Sequence, residues 1–359
     1  MIQSTPKLFK LDTSAMPAAH VSGPIERCWR ALNARNLRWS MMAAILVLAV
    51  AHASAVSGQQ TPTPGSTQPP AVNAAGEPIL KAPPFKLPDG IILESDLTYA
   101  QYGTRELKLD LYRPSSGRGP FPGIVFIHGG AWSLGTKTML RNQAAYFAGK
   151  GYVCVSIEYR LAGEAIWPAA LYDSKAAVRW MRANAKKYKI DPNKIAASGD
   201  SAGGHLSALL ATTADETKME GNGGNARFSS RVQAAVVFNP ATDFFSVLAR
   251  TKNLRTVTKF TTIFLGGTSD QVPEIYMEAS PVAHVSATSA PFLFLHGTAD
   301  NTLPYQQSLE MQSALQAVGV RAELYSAKDA DHGFFNTPAF YQPSLERMEQ
   351  FLDSVFGKK

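Results

Sequence analysis

A single strand–turn–helix segment decides the fold. Residues 195–205 read Ile-Ala-Ala-Ser-Gly-Asp-Ser-Ala-Gly-Gly-His, so a short apolar strand runs into Gly199-Asp200-Ser201-Ala202-Gly203 and then into a helical run. In this G-x-S-x-G pattern a sharp turn raises the serine hydroxyl, and the small flanking residues let the strand and helix approach closely. A bare G-x-S-x-G arises by chance, but the strand before it and the helix after it favour a nucleophilic Ser201.

The alternation of apolar strands and amphipathic helices extends to both sides of this turn. Two short alternating runs come first, at 97–101 and 107–112, and flank Gly103-Thr104 as a hairpin would. The strands predicted after them are 123–127, 152–157, 194–198, 232–238, 292–295 and 321–325, and the clearest helices are 168–187, 202–213, 304–318 and 342–355. This order predicts an α/β fold with a mostly parallel twisted sheet, helices on both faces and an antiparallel amino-terminal hairpin.

Two stretches break the alternation. Residues 214–231 are polar and glycine-rich, and residues 244–289 interrupt the path between two strands. Long irregular segments in a compact domain are usually functional or mobile. We therefore predict that 244–289 is a partial lid or a substrate-binding wall, with a solvent-facing decoration as the alternative.

A glycine-rich loop follows an earlier strand and reads His128-Gly129-Gly130-Ala131-Trp132. Glycines at such a place leave backbone N–H groups free to face a negatively charged oxygen, as in loops of the H-G-G-G type. We predict an oxyanion hole made by the N–H groups of Gly129 or Gly130 together with Ala202. His128 is expected to brace the loop, and Trp132 to line the substrate pocket, although plain packing would also explain an indole here.

A carboxylate and a histidine complete the predicted catalytic set. Asp300 follows the late strand 292–295, and His332 follows the last strand within Asp331-His332-Gly333-Phe334. The order Ser201, Asp300, His332 is typical of α/β-hydrolases and differs from that of the two serine protease types. His332 would remove the serine proton, while Asp300 would fix the histidine tautomer and stabilise the imidazolium.

Other acidic residues, histidines and a cysteine are further candidates for the catalytic roles. Asp243 also follows a strand and stays open as an alternative acid. The remaining candidates are expected to shape loops or to pack: Asp200, Asp329, Asp331, His296 and the strand residue Cys154. His205 and His284 lack any motif. Cys154 is expected to be a buried small hydrophobe, because a reactive thiol needs exposed, electropositive surroundings.

Composition and charge exclude some classes of function. The formal net charge is +7, but residues 1–40 contribute +4 of it, which leaves +3 for the rest of the chain. No basic stripe and no nucleic-acid-binding motif is present, so a nucleic-acid partner is not expected.

The amino-terminal region resembles a targeting segment. Arg35 and Arg38 precede an apolar run, Met41–Ala51, and Ala53-Ser54-Ala55 follows as an A-x-A cleavage pattern. The run is too short to span a bilayer, which disfavours an uncleaved anchor. We predict a signal segment at 1–55, a Pro/Thr/Gln/Ser-rich linker at 56–85, a catalytic domain at 86–359, and a secreted or periplasmic protein without stable membrane insertion after processing.

From about residue 95 to 357 the chain resembles the bacterial α/β-hydrolase esterases of the feruloyl and acetyl-xylan esterase-like, or BD-FAE-like, group. The resemblance is carried by these motifs: His128–Trp132, Tyr159–Ala162, Pro168–Trp180, Ile190–Pro192, Gly199–Gly204, Ala279–Pro281, Gly297–Pro304 and Asp331–Phe334. The hormone-sensitive-lipase-like family shares the elbow and the glycine loop and ranks second, because its acid usually stands in an Asp-Pro-Leu setting. Gly163 departs from both families, which often have proline there.

The resemblance implies the α/β-hydrolase fold and hydrolysis of short-acyl or aryl esters through an acyl-enzyme, with no metal or organic cofactor. Its substrates would be small-molecule esters or acetylated or feruloylated polysaccharide. Alternatives are an amide hydrolase, either arylformamidase-like or a peptidase of the prolyl-oligopeptidase type, and a catalytically silent binding module on the same fold.

Overall fold

The computed structural model describes residues 85–357. The predicted signal segment 1–55 lies outside these residues, as does all of the predicted linker except Phe85. The predicted domain boundaries therefore stay predictions.

An eight-stranded sheet forms the centre of the described region. Its strands are β1 (Ile91–Tyr102), β2 (Arg105–Pro114), β3 (Phe121–Ile127), β4 (Val153–Ile157), β5 (Ile190–Asp200), β6 (Ala234–Phe238), β7 (Phe292–Gly297) and β8 (Ala322–Ala327). The spatial order is β1-β2-β4-β3-β5-β6-β7-β8, and only the β1–β2 and β2–β4 pairs are antiparallel. The predicted mostly parallel sheet with an antiparallel amino-terminal hairpin is confirmed.

Helices cover both faces of this sheet. They are α1 (Arg141–Gly149), α2 (Ala169–Ala183), α3 (Ala185–Tyr188), α4 (Ala202–Thr212), α5 (Phe244–Arg250), α6 (Leu254–Leu265), α7 (Pro273–Glu278), α8 (Gln306–Ala317) and α9 (Tyr341–Phe356). Strand side chains alternate between two cores: Val125 and Ile127 of β3 belong to the core that includes residues of α2, α4 and α8, whereas Ile124 and Phe126 belong to the core that includes residues of α1 and α9. This period-two alternation buries both faces, as a parallel sheet requires.

The irregular segment 214–231 is tied to α2 by buried charges. Glu220 accepts hydrogen bonds from Lys175 Nζ at 2.8 Å, Arg179 Nη1 at 2.9 Å and Ser230 Oγ at 2.6 Å. Lys175 and Arg179 are almost fully buried, so breaking this cluster by removing its carboxylate would leave two buried cations without that partner. The segment is therefore a fixed part of the domain surface.

The second irregular segment differs from the prediction. Residues 244–279 contain three helices, α5 to α7, where the sequence pattern predicted a long loop. Helix α1 lies between two predicted strands but was not among the four clearest predicted helices. Cys154 has no exposed surface, which confirms its expected burial. No helix within residues 85–357 is both long enough and apolar enough to cross a membrane.

Candidate active site

Ser201 stands on a strained turn between β5 and α4. Its backbone has φ 53° and ψ −116°, a conformation that a side chain rarely adopts and that is typical of a nucleophile elbow. The Ser201 N–H is bonded to the Phe238 carbonyl at 2.9 Å, which holds the turn against the neighbouring strand β6. A Cβ at Gly203 would lie 1.9 Å from the Ile127 carbonyl oxygen, so the helix can approach the sheet here only with glycine.

Asp300 and His332 form a direct pair at the carboxyl ends of β7 and β8. The distance between His332 Nδ1 and Asp300 Oδ2 is 2.7 Å. The other oxygen of Asp300 accepts the N–H groups of Thr302 and Leu303, both at 2.8 Å. Since the carboxylate is held on both oxygens, it fixes the histidine ring with Nδ1 as the donor and leaves Nε2 as the free nitrogen.

Charge and burial set the acidities of this pair. Burial opposes ionisation of Asp300, but His332 and His296 outweigh it and hold the pKa of Asp300 well below its ordinary value. Burial also opposes protonation of His332, yet Asp300, Asp200 and Asp331 together raise the pKa of His332 above its ordinary value. The carboxylate is therefore charged, and the imidazole is a stronger base than a free histidine.

The nucleophile turn and the histidine lie within electrostatic reach of each other. Asp200, which directly precedes Ser201, raises the pKa of His332 by its charge, and the imidazolium in turn lowers that of Asp200. Burial is the larger influence on Asp200 and raises its pKa to about 6. The structure thus places Ser201, Asp300 and His332 at the carboxyl ends of β5, β7 and β8, with Asp300 and His332 in direct contact.

The structure of the glycine loop differs from the prediction at one donor of the oxyanion hole, Gly129. The Gly129 N–H donates to Asp200 Oδ1 at 3.0 Å, so it is not available to a substrate oxygen. A Cβ on Gly129 would lie 2.4 Å from Asp200 Oδ2, which explains why this position needs glycine. Gly129 therefore attaches the loop to the elbow, and the prediction that its N–H binds the oxyanion is wrong.

Three other N–H groups remain for an oxyanion. Within residues 85–357 no acceptor is bonded to the N–H of Gly130 or of Ala131. Ala202 is the first residue of α4, where a helix offers its N–H no internal partner. Ala131 was missed by the sequence pattern; its φ of 51° marks a loop backbone held in a conformation that favours glycine.

Trp132 is a packing residue, and the prediction that it lines the substrate pocket is wrong. Its side chain is only 4% exposed. The indole stacks on Phe264 with ring centroids 4.6 Å apart and contacts Phe244 at 5.5 Å, while Nε1 donates to His205 Nδ1 at 3.1 Å. A pocket wall must present surface to a ligand, and this ring presents almost none.

Three buried histidines have structural contacts, as predicted for His128 and His296. His128 stacks on Tyr159 at 4.4 Å and contacts the Gly129 carbonyl through Nδ1 at 2.7 Å. His205 links the Trp132 indole to the Ala279 carbonyl, which Nε2 contacts at 2.7 Å. Burial lowers the pKa of both His128 and His205 to about 4, so each is neutral near pH 7. His296 contacts Ser308 Oγ and lies behind Asp300, at 3.2 Å from Oδ2.

The alternative acid Asp243 has a different role in the structure. Its Oδ1 accepts the N–H groups of Phe245 at 2.9 Å and Ser246 at 3.1 Å, which makes it the N-cap of α5. Asp331 accepts the N–H groups of Asn301 and His332 and so shapes the base-bearing loop. Within the described part of the chain no cluster of three or more His, Cys, Asp or Glu side chains could hold a metal ion.

Helix α6 spans the site from one catalytic loop to the other. Just before its first turn, Asn253 Nδ2 donates to the Asn301 carbonyl and Thr251 Oγ1 to the Thr302 carbonyl, each at 2.9 Å. Near its carboxyl end, Phe264 stacks on Trp132 of the glycine loop. The segment 244–289, predicted as a lid or wall, thus contributes a helix attached to both the acid loop and the glycine loop.

Comparisons with known proteins agree with this architecture. The family model of BD-FAE matches residues 109–315. The chain is 35% identical over 273 residues to the probable carboxylic ester hydrolase LipM of Mycobacterium tuberculosis, covering 74% of this chain and 62% of LipM. It is 34% identical to esterase LipC of the same organism, covering 66% and 59%. The chain thus spans about three fifths of the length of these curated relatives.

The fold is similar to that of a solved thermophilic esterase, Est2 of Thermogutta terrifontis. The TM-score is 0.63 at 32% identity, and the alignment covers 74% of this chain and 93% of Est2. Est2 has also been solved with propionate or butyrate bound and phosphorylated by paraoxon.

Proposed function

Because the chain belongs to the BD-FAE family of the α/β-hydrolase fold, we propose that it is a serine carboxylester hydrolase that acts through an acyl-enzyme. The observation that carries the proposal is the pair of His332 Nδ1 and Asp300 Oδ2 at 2.7 Å, at the same edge of the sheet as a serine held at φ 53°. These residues supply the base, the orienting acid and the nucleophile of a Ser-His-Asp triad.

In the proposed mechanism the Ser201 hydroxyl attacks the ester carbonyl carbon while Nε2 of His332 accepts the hydroxyl proton. The carbonyl oxygen becomes an oxyanion, which the N–H groups of Gly130, Ala131 and Ala202 stabilise by hydrogen bonds. Collapse of the tetrahedral intermediate breaks the bond to the alcohol oxygen, and the imidazolium returns its proton to the departing alcohol. Ser201 is then acylated.

Water repeats the same steps on the acyl-enzyme. His332 accepts a proton from water as the water oxygen attacks the acyl carbon, and the same N–H groups stabilise the second oxyanion. The bond to Ser201 Oγ breaks, the imidazolium protonates that oxygen, and the free carboxylic acid leaves. Asp300 stays ionised throughout, because its pKa lies well below the ordinary value.

Short-acyl esters are the proposed substrates. Est2, a similar protein, has been solved with propionate and butyrate. Aryl esters and acetylated or feruloylated polysaccharide are further candidate substrates, because the sequence motifs resemble those of feruloyl and acetyl-xylan esterase-like proteins.

A substrate series tests the proposal. The purified chain is assayed on p-nitrophenyl esters from acetyl to palmitoyl, on methyl ferulate and acetyl-xylan, and on p-nitroacetanilide as the amide analogue. We expect the highest kcat/KM for acyl chains of about two to four carbons, because this length is close to that of the propionate and butyrate bound in Est2. Ser201→Ala should be inactive, whereas Ser116→Ala, at an exposed loop serine, should match the wild type. Preference for the amide, or activity without Ser201, would contradict the proposal.

We also propose that the enzyme acts outside the cytoplasm, as a secreted or periplasmic protein, on the strength of the pattern Ala53-Ser54-Ala55 after an apolar run. The intact mass of protein recovered from the medium or periplasm tests this. A mature chain beginning near Val56 is expected, and retention of residues 1–55 in that material would contradict it.

A further inference from the structure

Exposed apolar side chains concentrate on α5 to α7 and on the loops near α6. Among the residues that the structure describes, seven large hydrophobic side chains are exposed, and only Val318 lies away from these helices and loops. The other six are Leu134, Ile166, Phe245, Leu254, Ile263 and Met277. Single exposed apolar residues are ordinary, but a concentration in one region is typical of an interaction surface.

The first part of this region, from the start of α5 to the end of α6, carries only positive charge. Residues 244–269 include four basic residues and no acidic one. Arg250 forms an ion pair with Glu310 at 2.9 Å. Lys252, Arg255 and Lys259 are exposed, and no acidic side chain within residues 85–357 lies at ion-pair distance from them. The next acids along the chain, Asp270 and Glu274, come only after α6 has ended.

Helix α6 separates its buried and exposed residues cleanly. Val257, Thr261 and Phe264 face the protein interior. Arg255, Lys259 and Ile263 follow one another at intervals of four residues, so they form one stripe along the helix, and all three are exposed. A helix with a basic and apolar outer face is the kind that lies in the interface of an anionic membrane.

We propose that the outer face of α6 docks onto an anionic phospholipid bilayer. The docking face consists of Lys252, Leu254, Arg255, Lys259 and Ile263. The cations would contact lipid phosphates while the two apolar side chains enter the headgroup region. Charge complementarity favours an anionic bilayer over a neutral one, because the apolar contribution of two side chains alone gives weak binding.

Docking in this orientation would hold α6, and the two catalytic loops that it contacts, at the membrane surface. Helix α6 is attached to the acid loop through Asn253 and Asn301, and to the glycine loop through Phe264 and Trp132. Esters dissolved in the bilayer would therefore be delivered at the edge of the sheet that carries Ser201. The inference goes beyond the proposed esterase activity, and the binding itself requires no catalysis.

Vesicle flotation of the full chain tests the docking. The probes are vesicles of phosphatidylcholine alone and of phosphatidylcholine with phosphatidylglycerol. The variant Lys252→Gln/Arg255→Gln/Lys259→Gln should bind the anionic vesicles on the order of 100-fold more weakly than the wild type, because each cation near an anionic surface adds to the partitioning. Leu254→Ser/Ile263→Ser should also weaken binding.

A matched variant removes the same charge from the opposite end of the sheet. Lys86→Gln/Lys186→Gln/Lys187→Gln changes three exposed lysines, two of them just before β5 begins, and should bind like the wild type. The basic residues in 1–40 are the same in the wild type and in every variant, so a difference in vesicle binding between these proteins comes from the substituted residues. Equal losses for the two triple variants, or equal binding to neutral and anionic vesicles, would overturn the proposal.

Catalysis provides an independent comparison. Ser201→Ala should bind the anionic vesicles as the wild type does, which separates docking from esterase activity. The α6 triple variant should keep its activity on a soluble p-nitrophenyl ester and lose activity on the same ester class embedded in anionic vesicles. Loss of both activities together would contradict a docking role for this face.

Discussion

The Gly129 N–H and the Asp200 carboxylate are joined by a hydrogen bond of 3.0 Å, although the two residues are 71 positions apart. Asp200 directly precedes Ser201, and Gly129 directly precedes Gly130. The bond therefore holds the serine turn and the oxyanion loop in one arrangement. In an enzyme that must place donors and nucleophile around a single carbonyl group, such a bond preorganises the site.

Removing the acceptor at Asp200 should lower the rate. In Asp200→Ala the Gly129 N–H loses its partner, and the loop is free to move its donors away from the oxyanion. We expect kcat to fall by about 10- to 100-fold, less than the loss on deleting an oxyanion donor outright. Asp200→Asn keeps an acceptor oxygen and should lose less. Stopped-flow or steady-state assays on a short ester measure both; a larger loss for Asp200→Asn would contradict the positioning role.

The pH dependence should follow His332. Its pKa is raised, and only the neutral imidazole accepts the serine proton, so kcat/KM should rise with pH through a midpoint above about 6.5. The Asp200 carboxylate contributes to that raised value. In Asp200→Asn the imidazolium loses a nearby negative charge, its pKa falls, and the midpoint should move to lower pH. An unmoved midpoint would show that Asp200 does not face the base.

The acid assignment separates two aspartates. Asp300→Asn should lower kcat by about 10⁴-fold with the fold intact, because the amide favours the wrong histidine tautomer. Asp243→Ala should leave kcat near that of the wild type and cost about 1 kcal/mol of stability through loss of the α5 cap. Kinetics and thermal unfolding of both variants measure this; the reverse order of kinetic effects would reassign the acid.

Trp132 should affect stability more than substrate binding. Trp132→Ala removes a ring enclosed by Phe264, Phe244 and His205 and should destabilise the fold by about 3–5 kcal/mol. Trp132→Phe keeps a ring but leaves His205 Nδ1 without its donor, at a cost of about 1–3 kcal/mol. Denaturant unfolding gives these values. If Trp132→Phe instead raised KM with stability unchanged, the indole would be a substrate contact after all.

Local patterns were sufficient for the sheet and for the catalytic order. Strand 234–238 is a continuous apolar run, strand 153–157 is interrupted only by Ser156, and the turn at Ser201 has its own signature. Helices α5 and α7 were missed because they have only 7 and 6 residues, too few to show a helical period. Helix α6 has 12 residues with buried Val257, Thr261 and Phe264 on one side, so its amphipathic pattern is present in the sequence and could have predicted it.

The errors at the site have the same cause. The Gly129 N–H donates to the Asp200 carboxylate, which lies at the end of a different strand. No local sequence pattern predicts a hydrogen bond between residues so far apart in the chain. The burial of Trp132 depends on Phe264, which lies in the segment predicted as a loop. Residue types and their order could be predicted from the sequence, but the assignment of each N–H group to a partner required the tertiary structure.

Covalent labelling of Ser201 tests the central claim most directly. A fluorophosphonate probe should attach once to the full chain, at Ser201, and abolish turnover, because the turn presents the hydroxyl, His332 activates it and the loop N–H groups stabilise the phosphoryl oxygen. Peptide mass mapping locates the adduct, and Ser201→Ala should lose both labelling and turnover while Ser116→Ala keeps both. Labelling at a different serine, or turnover by Ser201→Ala within about tenfold of the wild type, would contradict a Ser201-based acyl-enzyme.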